Sequence, residues 1–223
     1  GPLATYRNGP VSSNVRPQPK DFMPSYDRNS EIQTRLNEFL VTAFDLPVKD
    51  YYGSMNLAKL LGLKSVLSDI NNALTLQLTL SFVNWISKVL SIPPLLQKNL
   101  IDDVLDTKPS ANGYDVHMKH GTPFIAEVKC NIPINGGTKY GAAQKNGIIV
   151  DIESLMNGKT KAAQTSEQTL KFMVFLDLPE VRAANEHLRH SNSKISKEFR
   201  LLGQDEVPND PKVVYGVYAR IGA

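Results

Sequence analysis

The run Lys-Phe-Met-Val-Phe-Leu-Asp at 171–177 constrains the fold more than any other segment, because nearly every side chain in it is apolar. A strand with one face in water alternates apolar and polar residues, whereas a near-continuous apolar run marks a strand covered on both faces. Such a strand belongs inside a mixed sheet with helices over it, and the rest of the chain supplies them. Ile32, Leu36, Phe39, Leu40 and Phe44 fall on one helical face after the N-cap signal Asn29-Ser30-Glu31, and Pro47 closes that element. From 56 to 90 the pattern is helical in pieces separated near Gly62 and Asn71-Asn72, with Trp85 in the core, until Pro93-Pro94 stops it. Further helices are expected over 95–105, 141–156, 179–189 and, more briefly, 194–202, with a last strand at 213–221. The order is that of an α/β protein: a central mixed sheet flanked by helices, with an N-terminal helical layer.

A chain of 223 residues that is 41% hydrophobic can bury one sizeable core. We assign 29–223 to a single domain, with a helical part over about 29–105 and a core over about 106–223 that holds the chemistry-bearing segment. Residues 1–28 carry Pro2, Pro10, Pro17, Pro19 and Pro24 among Ser, Asn and Gly, a composition suited to an extended arm. The opening Gly1-Pro2-Leu3 reads as a protease scar and not as a signal peptide. A formal charge of +3 and a pI near 8.8 permit a nucleic-acid partner without demanding one. Cys130 is the sole cysteine, which excludes an intramolecular disulfide and a cysteine zinc cage and points to a reducing, cytoplasmic compartment. No membrane span is expected, because the richest apolar stretch, 74–90, is broken by Gln77, Asn84 and Lys88.

The chemistry-bearing segment is 113–130. Tyr114, Val116 and Met118 alternate with Asp115, His117 and Lys119, and Phe124, Ala126, Val128 and Cys130 alternate with Ile125, Glu127 and Lys129. This is the period of two paired strands, each with an apolar face and a mostly polar one. A two- or three-residue turn centred on His120-Gly121 would set Asp115 beside Ala126 or Glu127. Two carboxylates and the Lys129 ammonium would then converge. Phosphodiester hydrolysis requires an activated water, neutralised phosphoryl oxygens and help for the leaving oxygen. Magnesium binds one or two carboxylates and keeps several waters, so Asp115 and Glu127 are ligands of the right type and number, with the Val128 carbonyl as an extra ligand. Lys129 shares the face of Glu127, where it can orient or help deprotonate the water or stabilise developing charge.

An aspartate followed about a dozen residues later by Glu-x-Lys across a hairpin resembles the PD-(D/E)xK nuclease superfamily, whose best-known members are type II restriction endonucleases. The resemblance implies a restriction-endonuclease-like core and a magnesium-dependent DNA endonuclease. It matches Asp115, Glu127 and Lys129 to the motif's three residues. Tyr114 stands where the family name implies proline. Some members add an acid from an upstream helix, for which Glu38 and Asp103 are the leading candidates beside Glu31 and Asp102. Double-stranded DNA is the implied partner, and recognition of a palindrome would imply a homodimer.

The loop after Lys129 and the start of the next helix lie just beyond the proposed metal site. Asn131, Asn135 and Gln144 are candidate base readers there, and Lys139, Tyr140 and Lys145 candidate DNA contacts. Arg182, Arg189, Lys194, Lys197 and Arg200 form a basic stretch diluted by Glu180, Glu186 and Glu198. No Walker-type loop or Gly-x-Ser-x-Gly motif is present, which disfavours ATP hydrolysis and serine chemistry. The competing class is a noncatalytic DNA-binding or structural interaction domain, since Glu-x-Lys also occurs on solvated strands.

Overall fold

The computed structural model of the chain describes residues 26–108, 113–159, 162 and 165–222. The extended arm expected at 1–28 lies outside them up to residue 25. Among the described residues there are five α-helices and a five-stranded sheet, so the class is α/β with a mixed sheet. The chain divides into two compact units, Gly1–Leu61 and Gly62–Ala223.

In the first unit, α1 spans Arg28–Phe44. Its cap is Asp27, whose carboxylate accepts from the N–H groups of Asn29 and Ser30, so the helix starts ahead of the expected Asn29-Ser30 signal. No residue of α1 is buried, and Phe39 and Phe44 of its apolar face remain exposed.

The second unit holds the sheet. Strands β1 (Val116–Met118), β2 (Phe124–Lys129), β3 (Leu170–Leu176), β4 (Phe199–Leu201) and β5 (Val214–Ala219) are ordered β1-β2-β3-β5-β4. The β1–β2 pair is antiparallel and every other pair is parallel. The apolar run at 171–177 accordingly occupies the centre, with β2 and β5 as neighbours. Helices cover both faces. On one side α2 (Leu57–Val89) and α3 (Pro94–Asp106) bring Leu78, Phe82, Ile86, Leu100 and Val104 onto Phe124, Ala126, Phe172 and Tyr215. On the other side α4 (Ala142–Asn157) and α5 (Pro179–Ser191) bring Ile148, Ile152, Leu155, Val181 and Leu188 onto Ile125, Met173 and Phe175. The alternation along β2 and β3 thus sorts side chains between two apolar cores.

Four sequence expectations change here. The helical stretch 56–90 is one 33-residue helix without a break at Gly62 or Asn71-Asn72. Gly in a helix interior costs only about 1 kcal/mol relative to Ala, which the Leu-rich surroundings offset. The helix expected at 194–202 is a run of turns leading into β4. Phe199–Leu201 pairs with β5, and Gly216 makes room for it: a Cβ there would meet Leu201 Cδ2 at 2.7 Å and the Phe199 ring at 2.8 Å. The hairpin turn is longer than expected, because Met118 pairs with Phe124 and leaves 119–123 as its loop. Finally, β2 has no wet face. Flanked by β1 and β3 and covered by α4, it buries Ile125 and Glu127 as well as Phe124, Ala126 and Val128.

Candidate active site

The hairpin register decides which of the chemical side chains meet. Val116 lies opposite Ala126, so continuing the antiparallel register sets Asp115 opposite Glu127. The chain bends at Asp115, just before β1 begins, and Asp115 Oδ2 accepts the N–H of Val128 at 2.7 Å. That hydrogen bond anchors the aspartate to β2. It also fixes the Val128 carbonyl, because the N–H and C=O of one strand residue point the same way, here toward Asp115.

Glu127 is 6% exposed. Burial, then the neighbouring Asp115 charge, pushes its carboxyl from the ordinary 4.5 up to about 7, against the opposing pull of Lys159. Asp115 is likewise raised by burial, with the Val128 N–H and the Lys159 and Lys129 charges acting in the opposite sense. Two carboxylates that both resist ionisation in a shared buried place want a cation or a proton between them.

Two residues outside the expected set supply part of the answer. Asp151, on α4, forms an ion pair with Lys129. Lys159 Nζ lies 2.5 Å from Glu127 Oε1, donates to the Gly113 carbonyl at 2.6 Å, and sits 5.2 Å from the centre of the Tyr114 ring. Gly158, at φ 84, ends α4 in a conformation glycine adopts without steric cost, and the next residue is Lys159. The two ion pairs match charge by proximity, yet Glu127 Oε1 and Asp151 Oδ2 receive no well-directed hydrogen bond from the described residues. The carboxylates are neutralised but not saturated.

Asp151 had a sequence signal. It stands between Ile148 and Leu155 at helical spacing, an acid set into the buried face of α4. Lys159 had none beyond its glycine neighbour. Tyr114 was expected beside Val116 and instead packs in the opposite core with Ile125, because strand alternation starts only at Val116.

The remaining candidates separate clearly. Asp103 is exposed on α3 and lines a small cleft of about 180 Å³ with Asp115 and His117. Glu38 is an exposed residue of α1 in the first unit. Among the described residues no three His, Cys, Asp or Glu side chains gather closely enough to hold a metal ion. A divalent ion would have Asp115, Glu127 and the Val128 carbonyl as ligands, a hard-oxygen set of the kind magnesium accepts, and Glu127 Oε1 is the one of their oxygens left buried without a directed hydrogen bond among the described residues.

Two of the expected DNA contacts are hydrogen-bonded within the protein. Tyr140 is half-buried against the core that holds Ile148 and Val181, donates to Asn185 Oδ1 at 2.9 Å, and has its phenol pushed up by burial. Gln144 is occupied by its own backbone, accepting from Gly141 N–H at 3.1 Å and donating to the Ile132 carbonyl at 2.9 Å. It ties the start of α4 to the preceding loop. Lys139 is exposed, Asn131 and Lys145 are half-buried, and Asn135 belongs to the short 3-10 turn Ile134–Gly136. Of the basic stretch, Arg182, Arg189, Lys194 and Arg200 pair with Asp177, Glu186, Glu153 and Glu206 respectively. No helix among the described residues is long and apolar enough to cross a membrane. Comparison of the chain with protein-family models, with curated proteins and with solved structures finds no match.

Proposed function

We propose that the chain is a magnesium-dependent endonuclease that hydrolyses phosphodiester bonds of double-stranded DNA, of the restriction-endonuclease-like, PD-(D/E)xK type. The observation that carries the proposal is the meeting of Asp115 and Glu127 at the hairpin, with Lys129 two residues further along the same strand. A divalent ion bound there would polarise the phosphoryl oxygen and lower the pKa of a bound water. Asp115 would hold its position through the Val128 N–H, and Glu127 would present its oxygens from a strand paired on both sides. Lys129, held by Asp151, would orient the attacking water and stabilise charge on the phosphoryl oxygens. Asp151 is then a positioning residue. Recognition of a palindromic site would pair two copies of the chain.

One observation favours the competing reading, a noncatalytic DNA-binding or structural domain: Glu127 and Asp151 already have lysine partners. Supercoiled plasmid incubated with the protein and Mg2+ separates the two. The nuclease reading predicts nicked or linear product from the wild type, abolished by EDTA. It also predicts a rate lower by about 10²-fold or more in Lys129→Ala and Asp115→Ala. Equal cleavage by all three proteins, or none by the wild type, would overturn it.

A further inference from the structure

At the carboxyl ends of β3 and β5 lies an open cavity of about 620 Å³, bordered by Trp85, Asp177, Arg182, Gln204, Tyr218 and Arg220. Open α/β sheets bind ligands outside the carboxyl ends of their strands, and the volume is that of a small-molecule site. Two guanidinium groups converge on one carboxylate there. Arg182 Nε donates to Asp177 Oδ1 at 2.6 Å, and Arg220 Nε donates to Asp177 Oδ2 at 2.7 Å. Asp177 is 13% exposed, whereas the two arginine side chains are 51% and 75% exposed.

This arrangement leaves donors over. One arginine would neutralise Asp177, so the second leaves an excess positive charge. Each arginine meets the carboxylate through Nε, which among the described residues leaves its terminal Nη donors for another acceptor. Arg182 also lies over the Tyr218 ring, with its guanidinium carbon 4.1 Å from the ring centre. Tyr218 in turn accepts from Asn185 Nδ2 at 3.2 Å, and Asn185 is fully buried. The guanidinium is therefore oriented before any ligand arrives, which lowers the entropy lost on binding. A planar fork of N–H donors matches the oxygens of a phosphate better than a single carboxylate exhausts it. The cavity also lies one strand from the proposed catalytic edge, because Lys129 pairs with Phe175, two residues before Asp177.

We propose that this cavity binds a phosphate group, presented by a nucleotide or by a nucleic-acid strand, with Arg182 and Arg220 as its donors. The site needs no metal, and only the strand-borne form extends the nuclease reading. Trp85 is the chain's sole tryptophan and borders the cavity, so its emission reports directly on occupancy. The test is a titration of the full chain in EDTA with inorganic phosphate, with adenosine monophosphate and with a short oligothymidylate. Trp85 fluorescence and heat of binding are the readouts. A saturable signal is expected, weakened by about tenfold or more in Arg220→Gln and in Arg182→Gln. Arg220 is largely exposed, so its variant retains the fold, and circular dichroism verifies this. Tighter binding of the oligonucleotide assigns the phosphate to a strand, and tighter binding of the mononucleotide assigns it to a free nucleotide. Absence of saturable binding in every arm, or equal binding by wild type and both variants, would overturn the proposal. Because EDTA removes divalent ions, failure here is distinct from failure of metal-dependent cleavage.

Discussion

Replacing Glu127 by glutamine should change how stability depends on pH, and the size of the change follows from its surroundings. In the folded chain its carboxyl titrates near 7 against an ordinary 4.5, chiefly because it is buried and secondly because Asp115 is close. The folded state therefore holds the proton more tightly than the unfolded state does. Between pH 4.5 and 7 the unfolded chain releases that proton first, so stability falls as pH rises and levels off above the folded pKa. The difference of about 2.5 pH units corresponds to about 3 kcal/mol at 1.36 kcal/mol per unit. At 6% exposure Glu127 has little solvent screening, while coupling to Asp115 spreads the titration over both acids and makes this figure a ceiling. Urea denaturation of wild type and Glu127→Gln at pH 4 and pH 8 provides the assay. At pH 4 the protonated glutamate and the glutamine are close in shape and charge, so the proteins should differ little. By pH 8 the variant should have gained up to about 3 kcal/mol on the wild type. Parallel pH profiles, within about 0.5 kcal/mol, would refute the claim that Glu127 carries unfavourable buried charge.

Other substitutions probe separate links in the structure. Lys159→Met removes the ammonium from Glu127 and should cost a few kcal/mol at pH 8 but much less at pH 5, again by urea denaturation. Gly216→Ala drives a methyl group against Phe199 and Leu201 and should destabilise by about 1–3 kcal/mol; an unchanged denaturation midpoint would contradict the close approach. Gln144→Ala should cost about 1 kcal/mol through the lost tie at the start of α4. If the side chain serves only this tie, the pattern of any DNA cleavage stays unchanged, whereas altered cut positions in sequenced ends would make Gln144 a base reader.

Much of the sheet was legible because its strands carry their own signatures. The apolar run at 171–177 sits centrally with helices over both faces, and the 113–130 alternation folds back as an antiparallel hairpin. What failed depended on partners distant in sequence. β4 is only three residues long and exists through its pairing with β5, so 194–202 could not announce it locally. The face of Glu127 was read as wet because its residues alternate, yet α4 covers it, and that docking is invisible within the strand. Asp115 and Glu127 were readable from spacing, whereas Asp151 and Lys159 meet the hairpin only through the tertiary fold. Tyr140 and Gln144 have side chains suited to DNA contact, but hydrogen bonds inside the protein already claim them.

The central claim is that Asp115 and Glu127 form a divalent-cation site and not merely a lysine-paired core. Titration of the full chain with Mn2+ at pH 8, with free ion followed by electron paramagnetic resonance, tests it directly. Saturable binding by the wild type is expected, competed by Mg2+ and weakened more than about tenfold in both Asp115→Ala and Glu127→Ala. Identical free-Mn2+ signals for the wild type and both variants would contradict it.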